Sequence, residues 1–551
     1  MGDKWRKFCS QTVFQWCGGL MLVIFVPVLI CVLTIGNKMD YWEHAKQTKL
    51  LFSTQILGGI ALLSAAVFLC LLYLCRNICL DRKYDLIIDV ILAGIFVGMY
   101  FLNTMVSRET VFKLSTDASI IRGCAFYIGT RQPLEYYTYL SIYPNNIPIS
   151  YFMGRIYEIV HKLGHFPYVI DYAWIQVGCA LTSIAGFFSC LTMKKLSRKL
   201  LPLIACFGAG FFLVQCSAWK MVPYTDAFAI SFSVMSAYFY LLSRDSDGAF
   251  FKGRFQEGKR YLFFILSLAC AGAGGLVKPN IYIMVIVIMG IEFLHPRVAG
   301  KVWLYWLIDL LLVAAMMYGI GKYKEHMIEY IGLEYNKEIS ADMAFYFLMG
   351  LNEESTGGYN MNDSTIFGEF QYEKKSVRTK AELERAFERL GEKGILGASY
   401  FFLRKLVMTY NDAIFGWGGV WVKSYYEGDS VLASGTYRTE LLRSIYWDGR
   451  WTGAYYTICQ LIWYVIIIGF PGICLVKKRN IGYNLLLLSC IGLIFYQILF
   501  EASAKYLFTF LPLLIVVSMC GYEQYLNRIE AFISAGNNAA RSLIRNREKH
   551  R

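Results

Sequence analysis

Long apolar runs that recur along the sequence limit the folds open to this chain. Each run is long enough to cross a hydrocarbon core of about 30 Å. They cover residues 17–36, 53–75, 86–104, 169–191, 199–216, 223–243, 260–277, 279–295, 302–320, 453–476, 481–500 and 505–521. Because a backbone in lipid must satisfy its own hydrogen bonds, runs of this length form helices. The sequence therefore predicts an all-α membrane protein with about twelve transmembrane helices, of which the first is retained because it lacks a cleavage motif.

Composition agrees with this class and argues against others. The chain is 56% hydrophobic and only 17% charged. Its net charge of +14 could suit nucleic acid, but the Lys and Arg residues lie in short clusters between apolar runs, so we expect no nucleic-acid partner. Most of the 16 cysteines, such as Cys179 and Cys190, lie inside apolar runs, and no CxxC pair occurs. Neither a zinc site nor a disulfide framework is indicated.

The basic clusters predict the orientation in the membrane. Lys and Arg accumulate on the cytoplasmic side, and here they precede the first helix and follow the second, fourth, sixth, eighth, tenth and last. We therefore predict a multi-pass protein of the cell membrane with both termini cytoplasmic. Two long segments, residues 105–168 and 321–452, then lie on the extracytoplasmic side.

The predicted organisation has three parts. Residues 1–85 form a cytoplasmic tail with two accessory helices, 86–521 a catalytic transmembrane region, and 522–551 a basic cytoplasmic tail. The two large outer loops carry amphipathic surface helices. In the second loop we predict one such helix that begins at 379 and ends at Gly391, and a more apolar one over 395–410 that lies along the membrane surface.

Charged residues are rare inside the apolar runs and gather instead at their predicted outer ends. Asp309 is the only one well inside a run, and we interpret it as hydrogen-bonded to neighbouring helices, which disfavours an ion-coupled transporter. Asp117 follows the third helix, while Lys278 and Lys505 lie at outer ends of other helices. Asp117 could be a helix cap, and the lysines could snorkel. A carboxylate opposite two cations is also what a reaction on a phosphate-linked lipid requires.

Several motifs on this face resemble those of one enzyme family. They are Tyr143-Pro-Asn-Asn, Tyr224-Thr-Asp, Lys278-Pro-Asn, Met349-Gly-Leu-Asn352, 357–363, 405–412, and Glu501 to Tyr506 followed by Pro512. The chain resembles the GT-C membrane glycosyltransferases, the class of protein O-mannosyltransferases and lipid A aminoarabinose transferases, over residues 86–521. Two departures, Ala118 in place of the second acid of an Asp-Glu pair and Lys505 in place of an arginine, disfavour a protein acceptor.

The resemblance implies a GT-C-like fold and a function. Such an enzyme moves a sugar from a polyprenyl-phosphate donor to a cell-envelope acceptor (a glycan, a teichoic acid or a protein) on the extracytoplasmic face, with inversion. Asp117 is then the general base, and Lys505 and Lys278 bind the donor phosphate. The further substrate-binding residues implied are Tyr143, Asn145, Asn146, Tyr224, Asp226, Asn280, Asn352, Glu501 and Tyr506.

Other interpretations stay open at this level. We assign no cofactor; His161 and His165 have a spacing that could hold a divalent metal, but such a pair is more often polar surface at the membrane boundary. Trp417 and Trp421 could stack on a sugar or belong to an interfacial aromatic belt alongside membrane lipids. A flippase or exporter of lipid-linked oligosaccharide is disfavoured by the nearly uncharged core. An O-antigen-type polymerase is compatible with the outer arginines.

Overall fold

The computed structural model describes residues 3–36, 50–107, 116–164, 167–222, 224–245, 254–295, 302–360, 362–363, 368–370, 373–416, 441, 444–446, 449–476 and 480–549. Across these ranges the chain forms helices and no named strand. The α-helices are α1 (Asp3–Thr34), α2 (Thr54–Leu74), α3 (Asp85–Ser107), α4 (Thr116–Thr130), α5 (Tyr137–Ile142), α6 (Ile147–Lys162), α7 (Pro167–Leu196), α8 (Leu200–Gly210), α9 (Thr225–Ala229), α10 (Phe232–Ser243), α11 (Arg254–Val277), α12 (Tyr282–Leu294), α13 (Val302–Tyr330), α14 (Met343–Gly350), α15 (Lys375–Tyr410), α16 (Thr452–Gly469), α17 (Ile481–Leu499), α18 (Lys505–Phe508) and α19 (Leu511–Lys549).

The apolar runs form the long helices that the sequence predicts, with three exceptions. Within the described ranges, 9 helices are long and apolar enough to cross a membrane. The predicted runs at 199–216 and 279–295 form shorter apolar helices, Leu200–Gln215 and Pro279–Leu294. The run at 505–521 is divided between α18 and α19. The architecture is that of an α-helical membrane protein, and the predicted count of twelve spans is not confirmed.

The two helices predicted in the second outer segment agree in outline with the structure. They are the two parts of α15, which meet at a kink at Gly394, where φ is 59°, so the first part continues a little beyond its predicted end at Gly391. That conformation is accessible to glycine at little steric cost, so the break occurs there. The second part, 395–410, is predicted to lie along the membrane surface, but its C-terminal end packs between helices, because Tyr410 packs edge-on against Phe25 at 5.1 Å and stacks on Trp463 at 6.5 Å.

Phe25 and Trp463 lie near the middle of two candidate spans, Gln11–Thr34 and Thr452–Leu475. The indole N–H of Trp463 donates to the carbonyl of Tyr410 at 2.7 Å. The C-terminal part of α15 therefore enters the helix bundle instead of resting on its surface. Apolar side chains nearer its end, including Phe401 and Val407, are buried, whereas Ile395 and Leu396 at its start are exposed.

Charged side chains that lie within or beside the spans have partners. Arg198 binds Asp85 at 2.6 Å, and Arg244 binds Glu292 at 3.1 Å. Asp309 is buried and has an interaction partner. This agrees with a structural role for its carboxylate. Pairing of this kind offsets the cost of taking a charge out of water.

The helix ends that carry the candidate residues meet in one region. The short α9 contacts both α18 and α11, and the turn Pro279–Ile281 follows α11 directly. The Tyr143-Pro-Asn-Asn motif lies at a helix start, since Pro144–Asn146 forms one 3₁₀ turn and α6 begins at Ile147. Broken and short helices thus concentrate where the candidate residues lie.

Candidate functional site

Asp117 faces a tyrosine from another part of the bundle. It lies in the first turn of α4, where the positive end of the helix dipole favours a carboxylate. The hydroxyl of Tyr224, the residue before α9, donates to Oδ2 of Asp117 at 3.2 Å. Asp117 is half-buried, so its carboxylate is held by a neighbour yet is not sealed in the core.

Lys505 approaches the same tyrosine from α18. Its Nζ lies 5.8 Å from the ring centroid of Tyr224 and 5.4 Å from that of Tyr506. Rings in this position attract a cation through their quadrupole. No hydrogen bond or ion pair is recorded for the Lys505 ammonium with any residue that the structure describes, so its three N–H donors remain available for an anionic ligand.

Nearby carboxylates favour the protonated form of Lys505. Burial lowers the pKa of Lys505, but the negative charges of Glu501, Asp226 and Asp117 raise it, and the net shift is upward. Lys505 therefore stays protonated at neutral pH. A permanently charged ammonium is suited to the electrostatic stabilisation of a phosphate.

Lys278 is arranged differently from Lys505. Its Nζ lies 2.9 Å from both carboxylate oxygens of Asp226, with hydrogen-bond geometry to Oδ2. It also donates to Thr225 Oγ1 at 3.3 Å. Both members of the pair are buried. The sequence predicts Lys278 and Asp226 as separate ligands of a substrate, whereas the structure pairs them, so most of the Lys278 charge is already neutralised.

The last helix boundary connects to the same pair. The ammonium of Lys278 lies 4.6 Å from the Tyr506 ring centroid, and the Tyr506 hydroxyl donates to Glu501. Asn280 donates through Nδ2 to the carbonyl of Tyr506 at 3.2 Å and to Thr509 Oγ1 at 3.0 Å. Glu501, Tyr506 and Asn280 therefore hold the turn that presents Lys505.

The turn at 143–146 reaches the site through Tyr139, which is not among the predicted site residues. Asn146 Nδ2 donates to the Tyr139 hydroxyl at 2.7 Å, and Asn145 Nδ2 donates to Asn146 Oδ1 at 3.1 Å. Burial raises the pKa of Tyr139, and the neighbouring Asp117 raises it further. The pKa of Tyr143 is likewise raised by burial and by nearby carboxylates. Tyr139 thus joins the amide turn to Asp117.

Asn352 is not brought to this centre. Its Nδ2 donates to Asp363 Oδ2 at 2.9 Å, and its Oδ1 accepts from the Ser355 N–H at 3.2 Å. These bonds shape the loop after α14. The loop also reaches the turn before α18 through its backbone, because the carbonyl of Gly357 accepts from the Ala502 N–H at 2.7 Å.

Lys405 anchors that loop from α15. It is fully buried, and its Nζ donates to the carbonyls of Gly350, Ile498 and Phe500 at 2.5, 2.9 and 2.7 Å. Two of these carbonyls belong to the end of α17, whose negative dipole end favours a cation. The sequence offered one signal for this role, a lysine inside an apolar run, which rarely occurs without a partner.

No group of three or more His, Cys, Asp or Glu residues in the described ranges could hold a metal ion. His161 is exposed at the end of α6. Its predicted companion His165 lies outside the residues whose placement is described, as do Trp417 and Trp421.

One comparison with known proteins identifies a family for most of the chain. A family model described as a conserved hypothetical integral membrane protein matches residues 11–525. No curated protein matches the sequence significantly. The match covers all nine candidate membrane spans, and the chain therefore belongs to this family of integral membrane proteins.

Proposed function

We propose that this chain is a membrane glycosyltransferase. It moves a sugar from a polyprenyl-phosphate donor to a glycan, teichoic acid or protein acceptor of the cell envelope, on the extracytoplasmic face. One juxtaposition supports this function: the carboxylate of Asp117 and the ammonium of Lys505 flank the same side chain, Tyr224. Glycosyl transfer from a phosphate requires a proton acceptor and a cation near the reacting bond, and these two side chains lie on either side of one tyrosine.

In the proposed reaction, Asp117 takes the proton of the acceptor hydroxyl, and the acceptor oxygen forms a bond to the anomeric carbon. The bond from that carbon to the phosphate oxygen breaks, and polyprenyl phosphate leaves with the electron pair. General-base assistance contributes about 10²–10⁴-fold. Attack opposite the leaving group inverts the anomeric centre.

Lys505 meets the charge that develops on the leaving phosphate, since its donors have no other recorded partner among the described residues. Lys278 has a different role in this proposal from the one that the sequence predicts. Its pairing with Asp226 makes it a support for Tyr224 and Tyr506, both of which its ammonium approaches within 5.5 and 4.6 Å. The donor phosphate is thus assigned chiefly to Lys505.

A transfer assay separates this function from its main rivals. The purified full-length protein in detergent is mixed with radiolabelled polyprenyl-phosphate hexoses and an envelope fraction, and release of polyprenyl phosphate is followed. A transferase releases it only when acceptor is present, whereas a flippase or exporter leaves the sugar–phosphate bond intact. Absence of release with every hexose tested, although the donor binds, would exclude the proposal.

The matched control for this assay is Glu354→Gln. Glu354 is an exposed carboxylate of the loop after α14 that accepts from Asn360 at 3.1 Å, and it makes no contact with Asp117. We expect Glu354→Gln to retain transfer and Asp117→Asn to lose it. The mass of surface glycans in a strain that lacks the protein would then name the sugar.

A further inference from the structure

Three cations surround one carboxylate at the ends of α4 and α6. We call Arg131, Arg155, Lys162, Glu158 and Tyr330 the Glu158 cluster. Oε1 of Glu158 accepts from Arg131 at 2.7 Å and pairs with Lys162 at 3.1 Å. Oε2 accepts from Arg155 at 2.8 Å and from the Tyr330 hydroxyl at 2.6 Å. Both oxygens of the carboxylate are therefore fully used.

The cluster carries an excess of exposed positive charge. Its three cations and single carboxylate sum to +2. The side chains of Arg131, Arg155 and Lys162 are 57%, 42% and 72% exposed, whereas that of Glu158 is 7% exposed. The remaining guanidinium and ammonium donors face outward, and each guanidinium lies 4.7 Å from the Tyr330 ring centroid, which holds it in place.

The position of the cluster is fixed by two helices. α4 has 15 residues, Thr116–Thr130, with Asp117 in its first turn and Arg131 just after its end, so Arg131 lies about 20 Å from Asp117 along the helix at 1.5 Å per residue. Tyr330 ends the candidate span Trp303–Tyr330, whose apolar 18-residue window is only 6% buried inside the protein. The apolar part of α13 is therefore open to lipid, and Tyr330 lies at the end of the same helix, ten residues beyond the apolar run 302–320.

We propose that the Glu158 cluster binds the phosphate headgroup of an anionic lipid in the leaflet at this end of α13. Arginine presents paired donors that match phosphate oxygens, and lysine adds a point charge. The location at the end of a lipid-facing helix favours a membrane lipid over a soluble anionic polymer, because lipids that pack along α13 bring their headgroups toward this end of the helix. This site is separate from the proposed reaction centre and does not depend on its chemistry.

Binding of phosphatidylglycerol to the full-length protein in a neutral detergent, followed by native mass spectrometry, tests the site. Phosphatidylcholine is the neutral reference. Lys162→Gln removes one exposed charge, and we expect about fivefold weaker binding, since one basic residue near an anionic lipid contributes about 1 kcal/mol. Glu158→Gln raises the cluster to +3, and we expect tighter binding. A general loss of folding would weaken lipid binding in both variants, so it cannot explain changes of affinity in opposite directions.

The control variant is Lys322→Gln, which removes an equal charge from α13 at a lysine that pairs with Glu325 at 2.7 Å. We expect no change in lipid binding. Melting temperatures of all variants show whether each remains folded. Equal binding of the two lipids, or equal affinities in the Lys162 and Glu158 variants, would overturn the proposal. So would stronger binding of soluble poly(glycerol phosphate) with the same dependence on Lys162, because the ligand would then be a polymer.

Discussion

The hydroxyl of Tyr224 donates to Oδ2 of Asp117 across 3.2 Å, and this bond links the start of α4 to the residue before α9. The same tyrosine offers its ring to Lys505 at 5.8 Å. Its hydroxyl end therefore meets the carboxylate while its face meets the cation. This arrangement makes Asp117 and Lys505 the first residues to test.

Asp117→Asn should abolish most transfer and leave the fold intact. The amide oxygen can still accept the Tyr224 hydrogen bond, but a neutral amide cannot take a proton from the acceptor. We expect transfer to fall by about 10²-fold or more, with unchanged melting temperature and donor binding. Transfer at nearly the wild-type rate would limit Asp117 to a structural role and direct attention to Glu501.

Lys505→Met keeps the length of the side chain and removes its charge. We expect transfer to fall by about 10²-fold, in the range observed when one stabilising donor is lost from a transition state. Lys505→Arg should recover part of the activity. Lys380→Met is the matched control, because this lysine is 77% exposed on α15 and pairs only with Glu384, at 3.7 Å. Full activity in Lys505→Met would show that Lys505 does not bind the donor phosphate.

Lys278→Met should act mainly on stability. It leaves the buried carboxylate of Asp226 without its cation, and breaking a buried pair in this way costs about 3–5 kcal/mol. The double variant Lys278→Met with Asp226→Asn should recover most of the melting temperature. A stable but inactive Lys278→Met protein would instead support the role in donor phosphate binding that the sequence predicts.

Glu382 makes stability depend on pH. Burial, with the Asp342 carboxylate as the second cause, raises the pKa of Glu382 to about 7. Between the ordinary glutamate pKa of 4.5 and about 7, the folded protein holds a proton that the unfolded chain has lost. The free energy of unfolding should therefore fall as pH rises through this window, by about 3 kcal/mol in total, and level off above it.

Melting temperatures from pH 4.5 to 8 check this dependence. Glu382→Gln should remove it and should be more stable than wild type at pH 8. Glu384→Gln, a change at a carboxylate that is 62% exposed on the same helix, should keep the wild-type profile. An identical profile in the Glu382 variant would mean that another group titrates.

Cysteine labelling from outside the cell tests the predicted orientation. A cysteine in place of Lys380, in the segment predicted to lie outside, should react with a membrane-impermeant maleimide. One in place of Lys83, which is 62% exposed in a loop predicted to be cytoplasmic, should react only after the cells are opened. The wild-type protein reports background from its own cysteines. A reversed pattern would contradict the orientation inferred from the basic residues.

Local patterns in the sequence predicted much of the architecture. Apolar length predicted the long helices, and the glycine-bounded amphipathic pattern predicted the two helical parts of α15. These features depend on a few neighbouring residues. The approach of Asp117 to Lys505 was predicted only as a shared face, since distance across a bundle depends on helix packing that no short motif encodes.

Contacts between distant segments explain the errors. Lys278 and Asp226 pair because α9 and α11 touch, and nothing local to either residue indicates a partner 52 positions away. The inward course of α15 after Gly394 depends on a space between α1 and α16 that receives Tyr410. Asn352 matched a family motif, but its bonds to Asp363 and Ser355 are set by the folding of its own loop.

Lys405 donates to three carbonyls that come from two separate stretches. They are Gly350 at the end of α14, and Ile498 with Phe500 at the end of α17. Glu501 follows directly, and Ala502 bonds back to Gly357. The loop and the turn are thus fastened to each other at two points. If the loop moved to admit a bulky lipid-linked sugar, Glu501 and Lys505 would move with it. Entry of the substrate and placement of the Lys505 ammonium would then occur together.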